Sequence, residues 1–264
     1  MTQSHPGTAL ITGASSGIGA IYAERLARRG HDLILVARNR GRLNALAQRL
    51  SDETGRSVEV VVADLADRAD LARVEELLRT DASITLLVNN AGVGATRPLL
   101  ESNVDKLEEL LTLNVNVLTR LTYAAVPGFV ARGGGTLINI ASIVAIAPEV
   151  LNGVYGGSKA FVLAFSQSLR HELADQNVRV QVVLPGATAT DFWGVAGTPL
   201  EYLPEAIVMK AEDMVDAALS GLDQGEFATI PALPEIADLN AYEAARQKLM
   251  PNLSLSTPAA RYRN

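Results

Sequence analysis

The sequence predicts an α/β domain built on a doubly wound parallel sheet with helices on both faces. Three observations carry that expectation. Short apolar, partly β-branched runs recur along the chain, amphipathic stretches of helical spacing separate them, and the alternation holds through residue 184. Such runs read as strands buried on both faces. Parallel neighbours need crossover connections, which are usually helices.

The elements follow in order. A first strand, Ala9 to Thr12, leads into a helix from Ile18 to Arg29. Leu33 to Ala37 is a second strand, with a helix over Arg42 to Leu50. Val58 to Val62 and the helix Ala69 to Leu78 make the third unit, and Leu86 to Val88 with a long helix from Val104 to Ala125 the fourth. Leu137 to Ile140 precedes a helix over Ser158 to Ala174, and Val178 to Leu184 is the sixth strand. After Pro185 the period breaks at Trp193, Gly194, Gly197, Pro199 and Pro204. Residues 191–210 therefore read as a loop-rich insertion. Its Phe192, Trp193, Val195, Leu200, Tyr202 and Leu203 either cover a substrate pocket or pack on the domain. A helix from Ala211 to Leu222, a last strand near Phe227 to Pro231, a helix from Pro234 to Leu249 and a C-terminal tail over 250–264 complete the chain.

Composition bounds the function. A chain of 264 residues fits one domain over 1–264, large enough to bury roughly 75% of its unfolded surface, though two small domains would also fit the length. With 48% hydrophobic and 20% charged residues it is expected to fold alone. A net charge of −6 offers no positive field, so nucleic acid is not expected as a partner. The absence of cysteine excludes disulfides and thiolate chemistry and fits a reducing compartment. His5, His31 and His171 lie far apart without ligand spacing, so no metal is expected. The longest uncharged stretch, Gly133 to Pro148, is short, opens on three glycines and makes a poor membrane span. A soluble, cytoplasmic protein with no membrane partner is expected.

The first strand runs into Thr12-Gly13-Ala14-Ser15-Ser16-Gly17-Ile18-Gly19, which opens the first helix. Backbone N–H groups at a helix start attract anions, and glycines let a pyrophosphate approach where a Cβ would collide. The spacing is neither the common GxGxxG nor a Walker loop. Gly13 to Gly17 also matches the GxSxG elbow of serine hydrolases, with Asp64 and His171 downstream, but too little chain precedes it to supply an oxyanion loop. The second strand ends Val36-Ala37-Arg38, with no carboxylate to meet a ribose hydroxyl or repel a 2′-phosphate. Arg38 could pair with that phosphate, which favours NADP(H) over NAD(H).

Tyr155 and Lys159 stand at i, i+4 near the start of a helix and share one face. An adjacent ammonium would favour the phenolate. Such a pair occurs by chance on many helices, and its company gives it weight. Asn89-Asn90-Ala91-Gly92 follows the fourth strand, Asn114 sits in an apolar helix, Ser142 follows the fifth strand, and Pro185-Gly186 the sixth. These strand-end positions are where open α/β sheets bind ligands. In this ordered set, from about Thr8 to Thr190, the chain resembles the short-chain dehydrogenase/reductase family of the NADP-preferring type. Only Gly156-Gly157 departs from the family's usual small-residue pair.

The resemblance implies a Rossmann-type sheet of about seven strands in the order 3-2-1-4-5-6-7. It implies an NADPH-dependent carbonyl reductase or alcohol dehydrogenase, with a small-molecule carbonyl or alcohol as substrate and a homodimer or homotetramer as assembly. It also implies roles. Tyr155 would be the general acid or base, Lys159 would bind the nicotinamide ribose and depress the tyrosine pKa, Ser142 would hold the substrate oxygen, and Asn114 a relay water. The cofactor would meet the turn from Gly13 through Ser15, Ser16, Gly17, Ile18 and Gly19. It would further meet Arg38, Asp64, Leu65, Asn90, Ala91 and Gly92, then Pro185, Gly186, Thr188 and Thr190, with Ser15 and Arg38 near the 2′-phosphate. The alternatives are a catalytically silent nicotinamide-binding protein, which degraded catalytic residues would mark, and the serine hydrolase.

Overall fold

In the computed structural model, which describes residues 6–263, the predicted alternation is present. Six strands, β1 (Thr8–Thr12), β2 (Asp32–Ala37), β3 (Val58–Val62), β4 (Ile84–Asn89), β5 (Gly135–Ile140) and β6 (Val178–Val183), pair in parallel. Two short strands, β7 (Thr188–Ala189) and β8 (Met209–Lys210), pair only with each other. The main sheet is closed by β9 (Ala228–Thr229), so its order is β3-β2-β1-β4-β5-β6-β9. This is the predicted seven-position order, its last position filled by a two-residue strand where Phe227 to Pro231 was expected.

The helices are α1 (Gly17–Arg28), α2 (Arg40–Thr54), α3 (Arg68–Thr80), α4 (Val104–Leu111), α5 (Leu118–Ala131), α6 (Gly153–Glu172), α7 (Phe192–Ala196), α8 (Ala211–Asp223) and α9 (Ile236–Leu249). Side chains alternate across each strand. Ala9, Ile11, Leu33 and Leu35 face Tyr22, Leu26, Leu43, Leu50 and Leu219 of α1, α2 and α8. Leu10, Ile34 and Val36 face Leu71, Leu78, Leu121 and Phe129 of α3 and α5. Both faces of the sheet are thus buried, as the uninterrupted apolar runs require.

Three expectations change. The single helix predicted over Val104 to Ala125 is α4 and α5 joined by a π-helical stretch, Thr112–Val117, with Asn114 inside it. It also continues to Ala131 through Pro127, because Phe129 beyond the proline is buried in the core. The helix predicted from Ser158 starts at Gly153, ahead of both Tyr155 and the two glycines. Insertion 191–210 is ordered into α7 and 3₁₀ turns at Leu200–Tyr202 and Glu205–Ile207.

The chain divides into two compact units after Pro231. The first carries the sheet. The second, from Ala232, contains α9 and 3₁₀ turns at Met250–Asn252 and Ala260–Tyr262. His5 and the last residue of the predicted tail, Asn264, lie outside the described residues. Among the described residues no helix is long and apolar enough to cross a membrane, and no group of His, Asp and Glu could hold a metal ion.

Candidate active site

The order of the sheet reverses between β1 and β4, which opens a crevice at their carboxyl ends. The glycine turn lies there. Gly13 and Gly17 have φ of 67° and 51°, in the left-handed region that favours glycine. A Cβ on Gly19 would collide with the Gly13 carbonyl, so α1 can approach the turn only with glycine there. Ser16 caps α1 without a side-chain hydrogen bond, and no acidic residue occupies the first turn. The N–H groups of that turn are left to a ligand, and the helix dipole favours an anion. A pyrophosphate fits this site.

The neighbours hold the turn rather than fill it. Thr12 Oγ1 donates to the Val88 carbonyl and accepts from the N–H groups of Asn90 and Ala91, at 3.2, 3.0 and 3.0 Å. Asn90 Nδ2 donates to the carbonyls of Thr12 and Gly13 at 2.9 and 3.3 Å. The side chain of Asn90 is therefore spent on the glycine turn itself. Gly17 lies against Thr190, where an added Cβ would come 3.0 Å from the threonine methyl. Thr188 is buried, and its carbonyl accepts from Trp193 Nε1 at 3.0 Å and from Thr190 Oγ1 at 3.4 Å. Arg38 is exposed one residue past β2, while Asp32, at the strand's other end, accepts from the Ser57 N–H at 2.9 Å. At the end of β3, Asp64 Oδ1 accepts from the Ala66 N–H at 3.0 Å, and Leu65 is buried. Nothing crowds the Cα of Gly186, so that glycine has no steric explanation.

The four catalytic candidates come together. Ser142, just past β5, donates from Oγ to the Pro185 carbonyl at 3.3 Å and lies beside Tyr155. Lys159 Nζ donates to the Ile140 carbonyl at 2.9 Å and lies 5.9 Å from the centre of the Tyr155 ring. Asn114 Oδ1 accepts from the Val93 N–H, and its Nδ2 donates to the Val93 carbonyl and to Ser158 Oγ, at 2.9, 2.9 and 3.2 Å. Gly92 sits between Asn114 and Lys159, since a Cβ there would lie 3.0 Å from Asn114 Oδ1 and 3.7 Å from Lys159 Nζ. All the side-chain polar atoms of Asn114 are thus engaged with protein groups, and a relay water would have to be held by its main chain.

Burial sets the protonation states. Tyr155 is pushed up to about 12 by burial, with the neighbouring Ser142 hydroxyl pulling the other way. Burial lowers Lys159 to about 8. Burial and Ser142 alone set the tyrosine here, while the Lys159 ammonium donates to the Ile140 carbonyl. At neutral pH this site holds a neutral phenol and a buried ammonium.

Two contributors escaped the sequence reading. Asn152 caps α6 by accepting from the N–H groups of Val154 and Tyr155 at 2.9 and 3.3 Å, and its Nδ2 donates to the Arg97 carbonyl and Ser102 Oγ at 2.7 and 3.1 Å. An asparagine just ahead of a helix was the available signal. Gly94 carries the ring of Phe192 and has no signal in a single sequence. The hydrolase alternative fails on geometry. His171 is in the last turn of the 20-residue α6, roughly 27 Å along the helix axis from its first turn. Helices of a parallel sheet run back against the strands, so that end lies opposite the glycine turn that holds Ser15.

Comparison with known proteins agrees with this arrangement. A family profile described as short chain dehydrogenase matches residues 7–199. A short-chain dehydrogenase from Sphingobium yanoikuyae, solved in complex with NADPH, is 51% identical, with 97% of this chain and 100% of that one covered and a TM-score of 0.94. The bulky-bulky ketone specific alcohol dehydrogenase from Comamonas testosteroni is 44% identical over 99% of this chain and 100% of its own, with a TM-score of 0.90. An uncharacterized oxidoreductase from Staphylococcus epidermidis is 31% identical over 217 residues, 82% of this chain and 90% of its own.

Proposed function

The chain belongs to the short-chain dehydrogenase family, and from that premise we propose that it is an NADPH-dependent reductase of apolar ketones that forms secondary alcohols. The observation that carries this reading is the buried contact of Tyr155 with Ser142 beside Lys159. When bound, the reduced nicotinamide supplies the hydride to the carbonyl carbon. Tyr155 Oη gives its proton to the carbonyl oxygen as negative charge develops there, the task of a general acid. Ser142 Oγ, whose 3.3 Å bond to Pro185 is long, turns to donate to the same oxygen. Lys159 replaces the tyrosine proton from its ammonium and is recharged from solvent through a water on the main chain near Asn114. Run backwards, the same groups oxidise an alcohol.

The turn of α1 would hold the pyrophosphate, Thr188 and Thr190 would meet the nicotinamide end, and Arg38 would pair with the 2′-phosphate. The NADPH complex of the Sphingobium enzyme supports that preference. The apolar wall near Tyr155, built from Val93, Ala95, Ile143, Leu151 and Phe192, suits a ketone with hydrocarbon substituents, as does the name of the Comamonas enzyme. The test is incubation with NADPH and a panel of ketones, followed by loss of absorbance of the reduced cofactor. Oxidation of NADPH in step with alcohol formation is expected. Cofactor-independent ester hydrolysis, or no ketone turned over, would refute the reading.

A further inference from the structure

The reacting residues are largely covered. Tyr155 is 5% exposed and Ser142 is 9% exposed, yet a ketone must reach both hydroxyls. The partly exposed aromatic side chain against Tyr155 is Phe192. Its ring is tilted 48° to that of Tyr155, with centroids 5.9 Å apart, and the tip of the ring lies against Gly94. A Cβ on Gly94 would collide with the far edge of the Phe192 ring. Phe192 therefore touches both a glycine that has no side chain to resist it and the phenol that must meet substrate.

The mount of this ring is tied down. Thr96 donates from N and Oγ1 to the Ala196 carbonyl at 3.2 and 3.0 Å, and Thr198 Oγ1 donates to Thr96 Oγ1 at 2.9 Å. Trp193 meets the Phe192 ring edge to face at 5.6 Å and is itself anchored to Thr188. Asp191, one residue ahead, pairs with Arg42 at 3.1 Å. With the backbone of α7 held on both sides, the group free to yield is the side chain of Phe192, and rotation of a partly exposed side chain between rotamers is fast and inexpensive.

We propose that Phe192, seated on Gly94, is the specificity-determining residue of this enzyme. Its ring is the movable wall that sets how large a substituent the carbonyl carbon can carry. This rests on the ketone-reductase reading above. A ketone with one methyl substituent needs only a small displacement of the ring, whereas one with rings on both sides needs the whole space the ring fills.

The test measures kcat/KM with NADPH for an aryl methyl ketone and for a ketone bearing rings on both sides, in the wild type, Phe192→Ala, Phe192→Leu, Gly94→Ala and the double variant Gly94→Ala/Phe192→Ala. Removing the ring is expected to raise the bulky-to-small ratio by about tenfold, the scale of discrimination an apolar pocket supplies. Gly94→Ala should unseat the ring and lower kcat/KM for both ketones. That loss should vanish in the double variant, because the two positions are in contact and their effects do not add. Enhancement of bound NADPH fluorescence reports whether each variant keeps its cofactor site, and Phe192→Leu reads the same ratio should alanine disturb α7. An unchanged ratio in both Phe192 variants, or an equal Gly94→Ala loss in both backgrounds, overturns the proposal. A wild type that binds NADPH but reduces no ketone overturns instead the reading on which it stands.

Discussion

At the scale of single residues, the site is prepared to give a proton. Tyr155, at about 12, stays a neutral phenol across the physiological range, which suits a general acid better than a base. Tyr155→Phe removes that proton and leaves the ring packed. We expect kcat to fall by about 10² to 10⁴-fold while NADPH binding, followed by its fluorescence, is retained. Substantial turnover in the variant would refute the acid role. Arg38 is the matching residue for the cofactor. Arg38→Ala should weaken NADPH by about ten- to hundredfold, the worth of a charge-assisted bond, and leave NADH nearly unchanged. Equal losses in both dissociation constants would remove the 2′-phosphate assignment. The glycine turn, Asn90, Ser142 and Pro185 were legible in the sequence because each stands just past a strand, and Tyr155 with Lys159 because they share one helix face. Their protonation was not, since it follows from burial by residues distant in the chain.

At the scale of elements, α6 is the mount of the catalytic pair, and its start matters more than its length. Asn152 fixes the first turn and tethers it to the segment after β4 through Arg97 and Ser102. Asn152→Ala should lower unfolding stability by about 1 kcal/mol and lower kcat, because Tyr155 loses the bond to its own N–H. Asn152→Asp keeps the acceptor and should restore the stability but only part of kcat, since the tether to Arg97 is gone. Chemical unfolding and steady-state kinetics check both, and an unaltered kcat in the alanine variant would confine Asn152 to a structural role. The helices and long strands could be read from their hydrophobic period. The start of α6 could not, because Gly156 and Gly157 weaken helix propensity where Asn152 and packing of Gly156 on Pro148 impose a helix. Nor could the π-helical stretch around Asn114, held in place by Val93, or the two-residue pair β7 and β8, which is too short to show a period.

At the scale of the whole molecule, the buried site should show in how stability depends on pH. Burial lowers Lys159 from its ordinary 10.5 to about 8, and unfolding returns it to water. Between those two values the unfolded chain holds a proton that the folded protein has released, so unfolding free energy rises with pH across that window. The full swing is about 3 kcal/mol. Below pH 8 the folded protein carries the penalty of the buried ammonium undiminished. Tyr155 acts in the opposite sense at higher pH, because its folded value of about 12 exceeds the ordinary 10.0 and the folded protein keeps its proton longer. Stability from that group is therefore present below pH 10 and lost as pH rises toward 12. Lys159→Met deletes the lysine contribution and adds a pH-independent loss of the bond to the Ile140 carbonyl. The stability of the variant relative to wild type should thus decline steadily from pH 8 to about 10.5, measured by urea unfolding at fixed ionic strength. Parallel curves over that range would mean that Lys159 is solvated in the folded protein, and with it would go the buried proton donor on which the proposed chemistry depends.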